Sequence, residues 1–325
     1  MRENELLSYI YRANARLPVG VTIPPGDDMG AVRLADDVDA LLTVDQVADG
    51  VHVDLATTPI ARVARKAIAR SVSDIAAMAA EPVACLATVA LPRGFTDAAG
   101  LYDALREAAD AFNCPLIGGD VAVWDHPLLI TVTAIARAGS VEPVRRDGAR
   151  VGDSVYVTGQ LGGSLEVIAG YSHHLDFEPR VACARALAAD GATRPHAMID
   201  LSDGLGQDLP RLCRASGVAA ELDVRTLPAG PAAEQAARRT GKPAWQHAID
   251  DGEDYELLFA APAGAVPGRV AGVSVTAIGR IVASTGQAVP VQLAWPDGTR
   301  VPLEGAGWEH GAALPSADPD PTSGG

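Results

Sequence analysis

An α/β protein with mixed sheets, built in two halves, is the fold class that three features of the 325-residue sequence predict. Short apolar runs alternate with longer ones whose apolar side chains step by three and four, the pattern of strands feeding helices. Acidic residues recur at the ends of the short runs, where ligands lie in open α/β sheets. A Gly/Pro/Arg-rich stretch from Gly139 to Gly152 interrupts the pattern and reads as a boundary. It separates an N-terminal unit over 1–140 from a C-terminal unit over 150–312, with a polar tail over 313–325.

Composition narrows the function. Hydrophobic residues make up 48% of the chain and aromatic ones 4%, so the cores are packed from Ala, Val, Leu and Ile. The net charge of -15 argues against a nucleic-acid or anionic-membrane partner, since both need basic faces. A phosphate substrate would have to be neutralised by metal ions on carboxylates, because no Gly-rich run ends in Lys-Ser or Lys-Thr. Cys85, Cys114, Cys183 and Cys213 are dispersed among apolar residues and read as buried, reduced thiols. Met1 to Asn14 has no apolar signal core and no window approaches the ~18 apolar residues of a membrane span, which makes the cytoplasm the expected location.

Taken in order, Asn4 to Ala15 spaces Leu6, Leu7 and Ile10 as a helix face. A Pro/Gly loop then delivers Asp27 and Asp28, expected to point one inward and one to solvent. A strand from Ala40 to Val44 ends in Asp45, followed by Gly50 and His52, and His52 reads as an acid, a substrate contact or a polar loop residue. Thr57 or Thr58 is expected to cap a helix with Pro59 in its first turn, running to Ala80 and burying Ile60, Val63, Ala67, Ile68, Ile75 and Met78. Asp74, near its buried side, is either a surface acid or a ligand. A strand to Leu91 and a helix from Asp97 to Phe112 lead to Gly118, Gly119 and Asp120, where two glycines permit close backbone approach to a ligand. The β-rich run Leu128 to Ala136 completes this half, and Arg145 and Arg146 follow as candidate phosphate clamps.

The second half opens with a strand, Ser154 to Thr158, and Gly159 to Gly163, read as a glycine turn into a helix and a weak phosphate-loop signal. After a helix from Arg180 to Ala189 comes the densest segment, Ile199 to Leu205. Its acids, Asp200 and Asp203, sit at a strand-to-helix junction, with Ser202 placed to cap the helix that carries Asp208, Leu209 and Leu212. Unpaired amides at such a junction favour anions, and carboxylates beside them hold a cation. Finally Asp250 to Glu256 form an acidic loop before a strand expected to alternate outward acids with inward apolar residues. The tail from Pro315 has no apolar pattern and is expected to be disordered.

Seven blocks stand in order along the chain: Gly26-Asp27-Asp28; Asp45 with Gly50 and His52; Ser73-Asp74-Ile75-Ala76-Ala77-Met78; Gly118-Gly119-Asp120; Arg146 ahead of Gly152-Asp153; Asp200-Leu201-Ser202-Asp203-Gly204; and Gly252-Glu253-Asp254-Tyr255-Glu256-Leu257. With them the sequence resembles the thiamine-monophosphate kinase family, of the superfamily that also contains aminoimidazole ribonucleotide synthetase. The resemblance implies two α/β domains, the N-terminal sheet forming a barrel with that of a second subunit in a homodimer. It implies transfer of the γ-phosphoryl of ATP onto thiamine monophosphate, giving thiamine diphosphate, with several magnesium ions. On these positions it puts Asp28, Thr43, Asp45, Asp74, Asp120, Asp200 and Asp203 on the metal. Tyr102, Gly119, Asp120, Arg146 and Ser202 fall to the nucleotide, and His52, Glu253 and Trp308 to thiamine. Asp45, Asp120 and Arg146 would serve catalysis directly. The acceptor is a phosphate oxygen, already anionic, so positioning and charge neutralisation replace a general base.

Four positions depart from that pattern: Val44 for Thr, Ser71 for Asn, Val121 for Thr and Asp251 for Gly. Two other readings stand beside the kinase. A cyclo-ligase like aminoimidazole ribonucleotide synthetase shares the chemistry, and a non-catalytic nucleotide- or thiamine-binding protein would explain the departures. Retention of all six aspartates argues against the second.

Overall fold

The structure, a computed structural model, describes residues 3–14, 17–286, 289–303 and 307. Helix α1 (Glu3–Ala13) and strands β1 (Val21–Ile23), β2 (Gly30–Ala35) and β3 (Val38–Ala48) lead into the long helix α2 (Ile60–Ala77). Strand β4 (Glu81–Pro92), helix α3 (Ala98–Ala111) and strands β5 (Leu116–Trp124) and β6 (Leu129–Arg137) complete the first half. The strands form one sheet in the order β1-β2-β3-β6-β4-β5. Only β4 and β5 run parallel, and the crossover this requires is α3. Alternation along β3 turns Leu41, Thr43, Asp45 and Val47 toward α2 and leaves Val44 and Gln46 on the opposite face. There Val44 and Leu86 share a register row through Thr133 and remain 61% and 39% exposed.

The second half contains β7 (Ser154–Thr158), a small hairpin of β8 (Val167–Ile168) and β9 (Tyr171–Ser172), α4 (His173–Asp176), α5 (Val181–Ala189), β10 (Ala197–Asp200), α6 (Leu205–Ser216) and β11 (Ala219–Asp223). It continues through α7 (Pro231–Thr240), α8 (Ala244–Asp250), β12 (Leu257–Ala261), β13 (Arg269–Val270), β14 (Val273–Val282), β15 (Val291–Ala294) and β16 (Arg300–Pro302). Its main sheet runs β10-β12-β7-β14-β11-β15-β16, with β13 on β14. The mixed-sheet α/β expectation holds for both halves.

Helix α2 belongs to both. Val63, Ala67, Ile68 and Ile75 are fully or almost fully buried in the core under the first sheet, whereas Ala76 and Ala79 pack with Met198 and Phe259 of the second. Each fully buried Ile stabilises by about 1.5–3 kcal/mol. Conversely Leu175, Phe177 and Tyr255, from the second half, complete the first core.

Local expectations fare unevenly. No threonine caps α2: Pro59 occupies that position, and Thr57 Oγ1 donates instead to Asp54, 3.0 Å away. Gly163 leads into the β8–β9 hairpin and not a helix. Asp120 lies inside β5 and not at its end. Strand β12 is buried throughout, so its acids precede it and do not alternate within it. The four cysteines are buried and unbridged, as expected. Among the described residues no helix is long and apolar enough to cross a membrane. The tail over 313–325 lies outside the described residues.

Candidate active site

Lys66, Arg70, Ser73 and Asp74 follow one another at intervals of four, three and one on α2, which aligns them on a single face. At its C-terminal end that face meets an acidic cluster. Asp28, Asp74 and Asp200 each offer an oxygen, and these lie within 4.8 Å of one another. Asp28, in the loop between β1 and β2, is clamped by Arg146, whose Nη2 and Nε donate to its two oxygens at 2.6 and 3.0 Å. Asp200 ends β10 and accepts from Ser73 Oγ at 2.6 Å. Asp74 accepts from Thr43 Oγ1. Asp45, on the same face of β3 as Thr43, meets Arg70 Nη2 at 3.5 Å.

The charges are under-compensated. Burial, then the neighbouring Asp45, Asp200 and Asp28, push the Asp74 carboxyl well above its ordinary range, and burial and Asp28 do the same to Asp200. For Arg146 burial opposes the charge, but Asp28 and the other acids outweigh it and strengthen protonation. An all-oxygen set of crowded carboxylates fits a hard divalent cation such as magnesium, whose charge relieves the repulsion.

The N-terminal end of the stripe meets a second group. Lys66 is fully buried and gives its protons to the His52 carbonyl at 2.8 Å and Glu253 Oε1 at 2.7 Å, with His174 Nδ1 at 3.0 Å. Burial raises the Glu253 carboxyl, yet His174 and Lys66 bring it down to about 2. His52 Nδ1 accepts from the Ala48 amide at 3.1 Å, which fixes the loop. Glu253 and Tyr255 both have positive φ, 53° and 47°, a backbone strain held by bonds from Glu253 N to Ser202 O and Tyr255 N to Leu201 O. Tyr255 stacks on Phe177 with ring centroids 4.0 Å apart.

The same loop corrects the phosphate-loop reading of Gly159 to Gly163. The Gly162 amide donates to Asp254 Oδ1 at 2.9 Å and the Gly163 amide to Asp251 Oδ2 at 2.7 Å, so the chain's own carboxylates take those amides. Asp251 also lies 2.9 Å from His247 Nδ1, a structural staple that accounts for its presence. Glu256 is buried against Arg180 and Thr158.

Other expected residues lie apart from the cluster. Asp45, Val132, Ala87 and Gly119 form one register row, which puts Gly119 about 14 Å across the sheet from Asp45. Alternation turns Asp120 to the outer face with its register partner Thr88, opposite to Asp45. Tyr102, Gly119 and Asp120 all border a groove of about 490 Å³ between α3 and the β4–β5 edge. Gly119 is required by the fold: a Cβ there would stand 1.8 Å from the Ala87 carbonyl oxygen. Asp203 is tied to Arg211 and its amide to Asp208, and Ser202 caps nothing, since Gly204 precedes the first turn of α6. Both loop acids point inward, Asp27 accepting from the Arg146 amide at 3.2 Å and rising to about 6 through burial and Asp28. Val44 sits on the face opposite Thr43, so a hydroxyl there would not reach the cluster. Trp308 lies outside the described residues.

Sequence reasoning missed Lys66, Arg70 and His174. A signal existed for the first two: a lysine and an arginine at i-8 and i-4 from Asp74, in line with the buried side of the helix.

Two family models cover the chain, the AIR synthase related protein N-terminal domain over residues 26–138 and the C-terminal domain over 150–292. A thiamine-monophosphate kinase from Rhodopirellula baltica is 38% identical over 296 residues, covering 87% of this chain and 90% of that relative. One from Mycobacterium tuberculosis is 34% identical over 260 residues, 75% and 76% of the two chains. A solved structure described as AaThiL complexed with AMPPCP and TMP superposes with a TM-score of 0.79 at 28% identity, covering 95% of this chain and 97% of the other. The chain therefore belongs to the thiamine-monophosphate kinase family of AIR synthase related proteins.

Proposed function

We propose that this chain phosphorylates thiamine monophosphate with ATP, and that it does so with magnesium held at the acidic cluster. It is an ATP-dependent kinase, and the AaThiL structure with AMPPCP and TMP supports both substrates. The observation that carries the metal reading is the approach of Asp28, Asp74 and Asp200 to within 4.8 Å. These three would hold the ion, with Asp45 and Thr43 beside them. Bound magnesium would supply charge neutralisation on the triphosphate. Arg146 locks Asp28 in place and adds positive charge at the same spot. Glu253, at the other end of α2, presents a carboxylate toward a thiazolium cation, with Lys66 and His174 fixing its position. Neither end needs a general base.

The assay is direct. Incubated with ATP, thiamine monophosphate and magnesium, the purified chain is expected to form thiamine diphosphate, and to stop when EDTA removes the metal. Undiminished product in EDTA overturns the metal site, and no product with magnesium overturns the kinase reading.

We further infer a homodimer, in the cytoplasm, through the outer face of the first sheet. Val44 and Leu86 are exposed there, and Asp120 points the same way, toward the surface we assign to the second copy. Leu86→Asp is expected to convert a dimer to a monomer by light scattering. A monomeric wild type at micromolar concentration would remove the assignment.

A further inference from the structure

Along the α2 stripe, Lys66, Ser73 and Asp74 each have a close hydrogen-bond partner, and Arg70 does not. Among the described residues its Nε and Nη1 are buried with no partner. Its Nη2 makes only the long contact to Asp45 Oδ1, at 3.5 Å. The guanidinium otherwise lies over the Tyr255 ring, 6.0 Å from its centroid. An unsatisfied buried donor on a charged group is costly, so one kept beside a binding site calls for a partner that arrives later.

Its place on the helix says which partner. One turn before it, Lys66 holds Glu253; one turn after it, Asp74 joins the acidic cluster. Each step is about 6 Å of helix rise. Given that thiamine monophosphate is the acceptor, its thiazolium and phosphate are joined by a short ethyl arm. With the ring end at Glu253 and the transferred phosphoryl at the cluster, the acceptor phosphate falls between them, beside Arg70.

We infer that Arg70 binds the phosphate of the acceptor. The guanidinium turns from Asp45 and donates through two N–H groups to two phosphate oxygens, the planar fork matching the anion. Asp45 is released by the same movement. Arg70 is thus the residue by which the site distinguishes a phosphorylated acceptor from the bare alcohol. The inference rests on the kinase reading, and the following experiment separates the two.

Calorimetric titration of the whole protein with thiamine monophosphate and, separately, with thiamine is compared for wild type, Arg70→Met and Arg70→Lys. Wild type is expected to prefer the monophosphate. Arg70→Met is expected to weaken monophosphate binding about 10- to 100-fold while leaving thiamine binding unchanged. Arg70→Lys, which keeps the charge but not the fork, should recover part of the loss and serves as the test if the methionine variant does not fold. In turnover the KM for thiamine monophosphate rises and that for ATP does not. An equal fall for both ligands, or no change in either, overturns the role of Arg70. Wild type binding neither ligand overturns the acceptor assignment, and the inference with it.

Discussion

Asp74→Asn is expected to lower turnover by a factor of about 10³ or more and, in the same protein without metal, to raise the melting temperature. The two effects have one origin. Burial and the surrounding acids hold the Asp74 carboxyl well above its ordinary value of 3.8. Between that value and the raised one, the folded state keeps a proton that the unfolded state gives up. Folding stability therefore declines as pH rises from about 4 upward, and asparagine removes the penalty. Asp27 and Asp208, raised to about 6 and about 7, act with the same sign up to those values. Magnesium held at the proposed site would offset the repulsion in wild type, so its expected stabilising shift in a melting curve should vanish in Asp74→Asn. A variant that melts lower than wild type, with the magnesium shift intact, would place the metal elsewhere.

Lys66→Met should do the most damage to folding, costing about 3 kcal/mol. The ammonium is wholly enclosed, whereas Glu253 keeps 23% of its side-chain surface exposed, which sets the estimate at the low end of the range for broken buried pairs. Removal takes the ammonium from the Glu253 carboxylate, leaving it to His174, and withdraws a donor from the His52 carbonyl. Adding Glu253→Gln removes the carboxylate charge and should recover part of the loss, a coupling that urea denaturation of the two single variants and the double variant measures. An unchanged midpoint for Lys66→Met would mean that the pair stabilises nothing.

The elements were legible where period and punctuation agreed. Ser154 to Thr158 is a strand to the residue, the helix around Ile60 lies where its apolar spacing puts it, and the one from Asp97 to Phe112 is matched by α3 to within a residue at each end. The acids of the site were legible as acids. Their destinations were not: Asp251, Asp254 and Glu256 look alike in the sequence, yet each accepts from a different partner in the glycine loop, α8 or Arg180. Those pairings depend on contacts 70 or more residues away, except for His247, and leave no local pattern. The backbone conformation of Glu253 and Tyr255 was hidden for another reason, since a positive φ in a non-glycine residue is imposed by surroundings and not by type. The face on which Asp120 lies followed from register, which a single strand does not encode.

The exchange of residues between the two cores makes the connector at 139–152 a boundary in the chain and not in the energetics. Cut there, the first fragment would keep α2 but lose Phe177 and Tyr255, and the second would expose Met198 and Phe259 where Ala76 and Ala79 had covered them. Each piece would carry an open apolar seam, a liability for aggregation more than a unit that folds alone. Heat and denaturant thus act on the halves together. A substrate that tightens the contact around α2 stabilises both sheets at once, although it touches few residues of either.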